Sequence, residues 1–314
     1  MEEIDYTLKG DGSHNVVSYM RSSKALEYLN DNLYNNLTHI IILAQKESYE
    51  VQEDGHIIVS DGLIEILDQA VLRRGDRKTK LLLSFGGGND FFIPLVQDSN
   101  KMINYLNDFK ELCVNHGLDG ADLDWEHPET SDQHVAASTF AEKMYEIFKL
   151  ENLLLTQAII WYNIGHMKAV EPYLDYINVM IYDNFDQFHC HSPYYDFTQF
   201  VDNILANGIQ KEKVIAGLPF YGYVAVADWS QKGGYAYHSI LNQYKPRIGE
   251  DVVYRSDGKA ICFDGVVKVW KKCAYVLEKD LAGVFIWETW MDVPNFKSDS
   301  SLMFHVNSVF PVEN

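Results

Sequence analysis

The sequence has few basic residues, few cysteines and no long apolar run, and each shortage excludes a class of function. Its 314 residues include 26 Lys and Arg against 45 Asp and Glu, which gives a formal net charge of −19. Nucleic acid and anionic membranes would repel such a chain, so we expect neither as a partner. No apolar run is long enough to span a membrane. The first residues lack the pattern of a signal peptide, so localisation stays open, and secretion is expected only if such a peptide preceded residue 1.

The cysteines give no sign of a metal centre. They form no CxxC pair and no zinc-type spacing, and their spacing does not reveal whether any are paired; they are Cys113, Cys190, Cys262 and Cys273. His189-Cys190-His191 could offer metal ligands, but such a segment alone lacks a completing ligand set. We therefore expect no metal and no cofactor.

Short β-branched runs alternate with helical stretches along the whole chain. No Pro-rich linker or charge block divides it, so we expect residues 1–314 to form one domain. The runs are Val16–Tyr19, His39–Ala44, Leu81–Phe85, Ala121–Trp125, Leu153–Ile160, Ile177–Tyr182, Val214–Pro219 and Val284–Trp287. Eight such units predict a (β/α)8 TIM barrel. A doubly wound open sheet is the competing architecture, but it usually needs fewer strands and no GxGxxG phosphate loop is present.

The helical stretches show the spacing of one buried face. From Ser99 to His116 the apolar residues recur every three or four positions. Asp98 or Ser99 can cap the first amides, and Gly117 can take the left-handed conformation that ends a helix.

The most informative segment carries three carboxylates at alternate positions. Asp122, Asp124 and Glu126 are spaced by two, so on a strand their side chains share one face. In a closed barrel that face must be the inner one, near the carboxyl end of the fourth strand. Carboxylates this close cannot all ionise cheaply, so at least one should stay protonated, and Glu126 at the open end would be a general acid. A magnesium or calcium site is the alternative reading of the same pattern.

The segment 119–126 resembles the DGxDxDWE motif of glycoside hydrolase family 18, the chitinase family. Further family-like segments follow in the expected order: Ser84-Phe85-Gly86-Gly87, Met180-Ile181-Tyr182-Asp183, Gly217-Leu218-Pro219-Phe220-Tyr221-Gly222 and Gly283-Val284-Phe285-Ile286-Trp287. With these flanking motifs the metal reading loses its support. The sequence departs from the family at His127, where Tyr is usual, at Gly88, where many members have Trp, and at Tyr223, where Arg is common.

The resemblance implies substrate-assisted hydrolysis of chitin or N-acetylglucosamine oligosaccharides with retention. The 2-acetamido carbonyl of the substrate attacks the anomeric carbon while Glu126 protonates the leaving oxygen and later activates water. Asp124 would accept the acetamido N–H, Asp122 would share a proton with Asp124, and Tyr182 would donate to the acetamido carbonyl.

The same resemblance implies the substrate-binding residues. Trp287 would form the floor on which a sugar stacks, with Asp183 beside Tyr182. Tyr19 and Ser84 would hold Asp122 from below. Met180 and Tyr221 are the remaining candidates. Asp119 is three positions before Asp122, so on a strand its side chain would face the opposite side, and we expect it to be structural.

The segment after the seventh strand, residues 223–264, is shorter than the insertion of many family members. We therefore expect a shallower groove, open to endo attack, with Trp229, Tyr235 and Tyr237 as candidate sugar contacts or local core. No chitin-binding module is apparent, so soluble oligomers are the expected substrates, and a monomer is expected. An endo-β-N-acetylglucosaminidase acting on N-glycans, a peptidoglycan hydrolase and a non-catalytic chitin-binding lectin remain alternatives; Trp125 and Glu126 favour the chitinase.

Overall fold

The computed structural model describes residues 4–228 and 233–313. The strands of these residues, in chain order, are β1 (Asn15–Arg21), β2 (His39–Ala44), β3 (Tyr49–Val51), β4 (Ile57–Val59), β5 (Lys80–Gly87), β6 (Gly120–Trp125), β7 (Leu154–Ile160), β8 (Tyr176–Met180), β9 (Val214–Pro219), β10 (Tyr221–Val224), β11 (Gly234–Ala236), β12 (Val252–Tyr254), β13 (Ala260–Phe263) and β14 (Gly283–Trp287). The helices are α1 (Ser22–Tyr28), α2 (Asp31–Tyr34), α3 (Asp61–Arg74), α4 (Asn89–Gln97), α5 (Ser99–Asn115), α6 (Ser131–Phe148), α7 (Ile164–Val170), α8 (Tyr194–Ala206), α9 (Tyr237–Tyr244), α10 (Val266–Glu278) and α11 (Leu302–Val309).

Eight parallel strands close into a barrel. Their order is β1, β14, β9, β8, β7, β6, β5 and β2, and β2 pairs with β1 to complete the ring. Helices alternate with these strands along the chain. The predicted (β/α)8 barrel is confirmed, and each of the eight apolar runs forms a barrel strand whose bounds differ by at most two residues. The competing open sheet is excluded because the described barrel has no free edge.

Helix α5 forms where the apolar spacing predicts it. Asp98 caps its first turn, because its carboxylate accepts hydrogen bonds from the backbone amides of Asn100 and Lys101. Gly117 follows the helix with a φ of +67°, a conformation that costs glycine little. The apolar face is buried against the barrel and consists of Met102, Tyr105, Leu106, Phe109 and Cys113.

The two faces of strand β6 meet different surroundings, the surrounding helices on the outside and the barrel interior on the inside. Trp125 is buried on its outer side, stacked on Phe92 of α4 with ring centroids 4.6 Å apart and close to Phe140 of α6. Its indole Nε1 donates to Asn89 Oδ1 at 2.9 Å. Asp122 and Asp124, three and one positions before Trp125, point the other way, into the barrel.

A short insertion follows β9, the seventh barrel strand, and confirms that part of the predicted architecture. It contains a four-stranded sheet in the order β11, β10, β13, β12, together with α9. The sheet begins at Tyr221, two residues before the expected start of the insertion. A disulfide joins Cys262 of β13 to Cys190, in the loop after β8, with 5.2 Å between their Cα atoms.

No helix within residues 4–228 and 233–313 is both long enough and apolar enough to span a membrane.

Candidate active site

A cavity of about 550 Å³ opens at the carboxyl ends of the barrel strands. In a barrel of parallel strands these ends meet at one face, which is where such enzymes place their chemistry. Residues from β1, β6, β7, β8, β10, β11 and β14, and from the loops after them, supply the lining. The lining residues include Tyr19, Arg21, Asp124, Glu126, His127, Met180, Tyr182, Asp183, Tyr221, Tyr223, Tyr235, Trp287 and Trp290.

Asp122 lies below the cavity and is fully buried. Its carboxylate accepts hydrogen bonds from the Tyr19 hydroxyl at 3.0 and 3.1 Å, Ser84 Oγ at 2.7 Å, Thr156 Oγ1 at 2.5 Å and Asn178 Nδ2 at 3.3 Å. Burial raises the pKa of Asp122 to about 6, and the four donors limit that rise because they stabilise the ionised form. Thr156 and Asn178 were not among the sequence-predicted residues. The signal for them was their inward position on neighbouring strands.

Asp124 and Glu126 lie at the cavity itself. The pKa of Asp124 is raised well above its usual range, first by burial and then by repulsion from Glu126 and Asp122. The side chain of Glu126 is 48% exposed, and His127 Nε2 lies 3.6 Å from Glu126 Oε2. Burial therefore favours a proton on Asp124, whereas the sequence argument assigned the protonated carboxyl to Glu126.

Tyr182 is buried with its ring beside Gly217. An added Cβ at Gly217 would lie 2.8 Å from the Tyr182 ring, so only glycine leaves room for it there. Burial, followed by the charge of Asp183, raises the pKa of Tyr182 well above its usual range. The hydroxyl therefore keeps its proton near neutral pH and can act as a donor.

Asp183 lies beside Tyr182 in the cavity wall. Its carboxylate accepts a hydrogen bond of 2.6 Å from the Tyr221 hydroxyl, and its backbone has a φ of +58°. His191, which is not among the sequence-predicted site residues, lies behind it with Nε2 3.2 Å from Asp183 Oδ1.

Trp287 and Met180 supply apolar surface to the cavity. Trp287 ends β14 and is partly buried, with its ring centroid 5.9 Å from that of Tyr19. Met180 ends β8 and is 8% exposed. All ten sequence-predicted site residues thus lie at this end of the barrel, eight on the cavity surface, with Asp122 and Ser84 beneath it.

Sequence reasoning missed an ion pair next to Trp287. Glu288 is fully buried, and its carboxylate accepts hydrogen bonds from Arg21 Nε at 2.6 Å and from the Arg21 backbone amide at 2.8 Å. The Arg21 guanidinium carbon lies 5.9 Å from the ring centroids of both Trp287 and Trp290. No motif pointed to this pair, because its members come from opposite ends of the chain.

The candidate sugar contacts in the insertion have different positions. Tyr235 lines the cavity. Tyr237 does not: it is 3% exposed, packs in the core and donates to the Ser300 carbonyl at 3.1 Å. Trp229 lies outside the described residues.

The His189-Cys190-His191 segment has no free thiol to offer a metal. Cys190 is bonded to Cys262, and among the described residues no group of three or more His, Cys, Asp or Glu side chains is arranged to hold an ion. Asp119 lies away from the cavity and binds Arg74 Nη1 at 2.5 Å and Lys80 Nζ at 3.1 Å.

The profile of the glycosyl hydrolases family 18 matches residues 15–292, from the start of β1 to just beyond β14. The chain belongs to this family. The human chitinase-3-like protein 2 is 24% identical to it over 309 residues, with 78% of this chain and 78% of that protein covered. The class V chitinase CHIT5a of Medicago truncatula is 25% identical over 273 residues, covering 69% of this chain and 70% of that protein.

Two solved structures share the family 18 fold of this chain. A chitinase from Bacteroides thetaiotaomicron superposes with a TM-score of 0.78 at 23% identity, covering 94% of this chain and 96% of that chain. Human YKL-39, described as a pseudo-chitinase with retained chitooligosaccharide binding properties, gives a TM-score of 0.76 at 20% identity, covering 94% and 98%. The family therefore contains proteins described as chitinases and at least one described as a pseudo-chitinase.

Proposed function

We propose that this family 18 protein is a retaining glycosidase that cleaves β-1,4 linkages between N-acetylglucosamine residues. The observation that carries the proposal is the pair formed by Asp124 and Glu126, in which a half-exposed carboxyl reaches the cavity beside a buried carboxyl of raised pKa. Such a pair keeps a proton near neutral pH, as a general acid requires. Similarity to proteins described as chitinases supports the substrate class.

The first step breaks the glycosidic bond. Glu126 gives its proton to the leaving oxygen, and the carbonyl oxygen of the substrate's own acetamido group bonds to the anomeric carbon. Asp124, as a carboxylate, accepts the acetamido N–H and stabilises the positive charge that spreads over the ring and the amide. Tyr182 donates its hydroxyl proton to a hydrogen bond with the acetamido oxygen, which holds that oxygen in line for attack.

The second step releases the product. Glu126, now ionised, takes a proton from water while the water oxygen bonds to the anomeric carbon and the acetamido oxygen leaves. Two displacements at one carbon retain its configuration. During the cycle a second proton is shared between Asp122 and Asp124, and the donors around Asp122 allow it to carry the negative charge when Asp124 holds that proton.

Apolar and hydroxyl surfaces would hold the sugar. The C–H face of a pyranose suits the Trp287 indole, and Met180 fills space below it. Asp183 and Tyr221 offer a carboxylate and a hydroxyl to the sugar's own hydroxyl groups.

A non-catalytic lectin is the principal rival, since a pseudo-chitinase is among the similar structures. The retained Glu126, together with Asp122, Asp124 and Tyr182, argues for turnover. No specific contact in the cavity favours the N-glycan or peptidoglycan readings. Trp125, whose presence in the motif favours the chitinase, packs on Phe92 outside the cavity and therefore acts on the substrate only indirectly.

The dependence on the acetamido group tests this proposal. Hexasaccharides of N-acetylglucosamine and of glucosamine are incubated separately with the protein, and reducing ends and the anomeric configuration of fresh product are followed by NMR. We expect rapid cleavage of the acetylated chain to β-anomers and almost none of the deacetylated chain. Equal cleavage of both, or α-anomers, would refute substrate assistance; release of glycans from a glycoprotein with no cleavage of either oligomer would favour the N-glycan reading.

A further inference from the structure

The loop after β8 turns back on itself and brings His191 behind Asp183. Phe185 and His191 form an antiparallel bridge across the loop. The His191 side chain has no solvent exposure, and its Nε2 lies 3.1 Å from the backbone nitrogen of Asp183 and 3.2 Å from Asp183 Oδ1. One ring nitrogen thus faces both a donor and an acceptor of the same residue.

Contacts with other elements fix the position of this loop. Cys190, next to His191, is bonded to Cys262 of β13. On the other side of His191, Lys272 of α10 donates to the carbonyl of Ser192 at 3.1 Å and to its Oγ at 2.6 Å. The imidazole itself packs on the rings of Tyr221 and Tyr223, with centroids 5.1 and 4.9 Å away. The ring therefore has little freedom to leave Asp183.

Asp183 depends on such support. With a φ of +58° it occupies the left-handed region, which is unfavourable for a residue with a side chain and persists only when its surroundings hold it. The bond from its backbone N–H to His191 Nε2 and the bond from Tyr221 to its carboxylate are two such constraints.

The side chain at position 223 also faces Asp183. A hydrogen bond links the Tyr223 hydroxyl to the Asp183 carboxylate. The neutral phenol of Tyr223 cannot supply a charge, and among the described residues the buried imidazole of His191 is a cation-forming group in contact with Asp183.

We propose that His191 is a positioning residue that holds Asp183 for substrate binding through an exchange between two hydrogen bonds. This inference rests on the proposed function of the cavity. When the imidazole is neutral, Nε2 accepts the Asp183 N–H and Nδ1 carries the proton. When it is protonated, Nε2–H points to the Asp183 carboxylate and the backbone N–H loses its acceptor.

The exchange should occur on the acid side of neutrality. Burial lowers the pKa of His191; the carboxylates of Asp183 and of Asp264, which follows β13, oppose that shift, and the Lys272 ammonium adds to it. The hydroxyls of Tyr221 and Tyr223 face the same cluster and stay protonated, because burial and Asp183 raise both pKa values. His191 is therefore neutral at and above the ordinary pKa of histidine. We expect substrate affinity to change only when the pH falls below that value.

The test measures kcat and KM for the N-acetylglucosamine hexasaccharide between about pH 4 and pH 8. His191→Ala should raise KM by up to about tenfold, the value of one lost hydrogen bond, and change kcat much less. His191→Gln can still accept the N–H and donate to the carboxylate, so it should keep KM near the wild-type value but remove the acid-side change. Adding Tyr223→Arg to His191→Ala should lower KM again.

The matched control is His189→Asn, an exposed residue of the same loop whose φ of +62° asparagine tolerates. It should leave KM and its pH profile unchanged. An unchanged KM in folded His191→Ala, or an acid-side change that persists in His191→Gln, would overturn the proposal. Hexasaccharide affinity is also measured by calorimetry in a Glu126→Gln background. A wild type that binds but does not cleave would disprove the glycosidase while the affinity loss in His191→Ala still decides the role of His191.

Discussion

At the scale of single residues, the chemistry of the cavity depends on how Asp122 and Asp124 divide a proton. Among the described residues, no hydrogen-bond donor to Asp124 compares with the four that surround Asp122, and the carboxylates of Asp122 and Glu126 are its neighbours. A charge is therefore more stable on Asp122 and a proton more stable on Asp124. Asp124 can accept the acetamido N–H only when Asp122 is able to take up its proton, so activity should fall when Asp122 is already protonated.

Ser84→Ala tests this division of the proton. The Ser84 hydroxyl stabilises ionised Asp122, so its removal should raise the Asp122 pKa above about 6. The acid limb of kcat should then move to higher pH by about one unit, since a hydrogen bond to a charged group contributes about 1.5 kcal/mol or more. The profile is measured on the hexasaccharide.

Ser48→Ala serves as the control, because Ser48 Oγ donates to the Gln45 carbonyl and does not contact the carboxylates. Its acid limb should match the wild type. A limb that stays in place or moves to lower pH in Ser84→Ala would show that Asp122 does not govern the proton on Asp124.

The sequence predicted the identity of these residues better than their ionisation. The spacing of Asp122, Asp124 and Glu126 placed them on one face, and the resemblance supplied Tyr19 and Ser84. The sequence did not predict that the pKa of Asp124 is raised more than that of Asp122, because this depends on how deeply each carboxyl is buried and which hydrogen-bond donors contact it. Those quantities depend on Thr156 and Asn178, which come from two other strands.

At the scale of elements, the barrel was predictable and the loops that complete its cavity were not. An apolar run such as His39–Ala44 is buried whatever its neighbours are, so its pattern alone indicates a barrel strand. The loop of residues 183–192 has no such pattern. Its shape depends on a disulfide and on Lys272, and four cysteines allow three pairings that their spacing cannot distinguish.

The disulfide should stabilise the link between this loop and the insertion. Cys190 and Cys262 are 72 residues apart, so closing that loop should contribute about 4 kcal/mol to the free energy of unfolding through the lost freedom of the unfolded chain. Reduction by dithiothreitol should therefore lower the melting temperature of the wild type, measured by calorimetry at fixed pH.

The paired substitution Cys190→Ser and Cys262→Ser is the matched control. It should melt at the lower temperature with and without reductant. Cys113 and Cys273 are free and buried, so single Ser variants at those positions should keep the response of the wild type to reductant. A wild type that is insensitive to reductant would mean that the disulfide does not support the fold.

At the scale of the whole molecule, the short insertion determines how much of a polymer can enter. It consists of one small sheet and one helix between β9 and α10, and it contributes Tyr223 and Tyr235 to one side of the cavity. We expect so short an insertion to form a low wall and to leave the groove open along its length, which would suit attack within a chain. That residues 1–314 act as one monomeric domain stays a prediction.

An open groove should give endo products. Incubation with a long N-acetylglucosamine oligomer labelled at its reducing end should release, at early times, labelled fragments of several lengths. The sizes are read by mass spectrometry before a tenth of the substrate is consumed, so that secondary cleavage does not obscure them. A single labelled or unlabelled dimer series from one chain end would indicate exo attack and contradict the open groove.

The net charge of −19 leaves a neutral polysaccharide as a compatible partner for the whole molecule. Binding to an uncharged chain should then depend little on salt. The proposed general acid is the Glu126 carboxyl at one end of the barrel, and its role can be tested without knowing the native polymer.

The most direct measurement compares wild type and Glu126→Gln on the N-acetylglucosamine hexasaccharide, with products identified by mass spectrometry and binding measured by calorimetry. The account predicts shorter oligomers from the wild type, a loss of turnover of about 10²–10⁴-fold in the variant, and similar affinity in both, because the amide keeps the shape of the carboxyl but has no acidic proton. A variant that retains more than about a tenth of wild-type turnover, or a wild type that binds the hexasaccharide without cleaving it, would contradict the account.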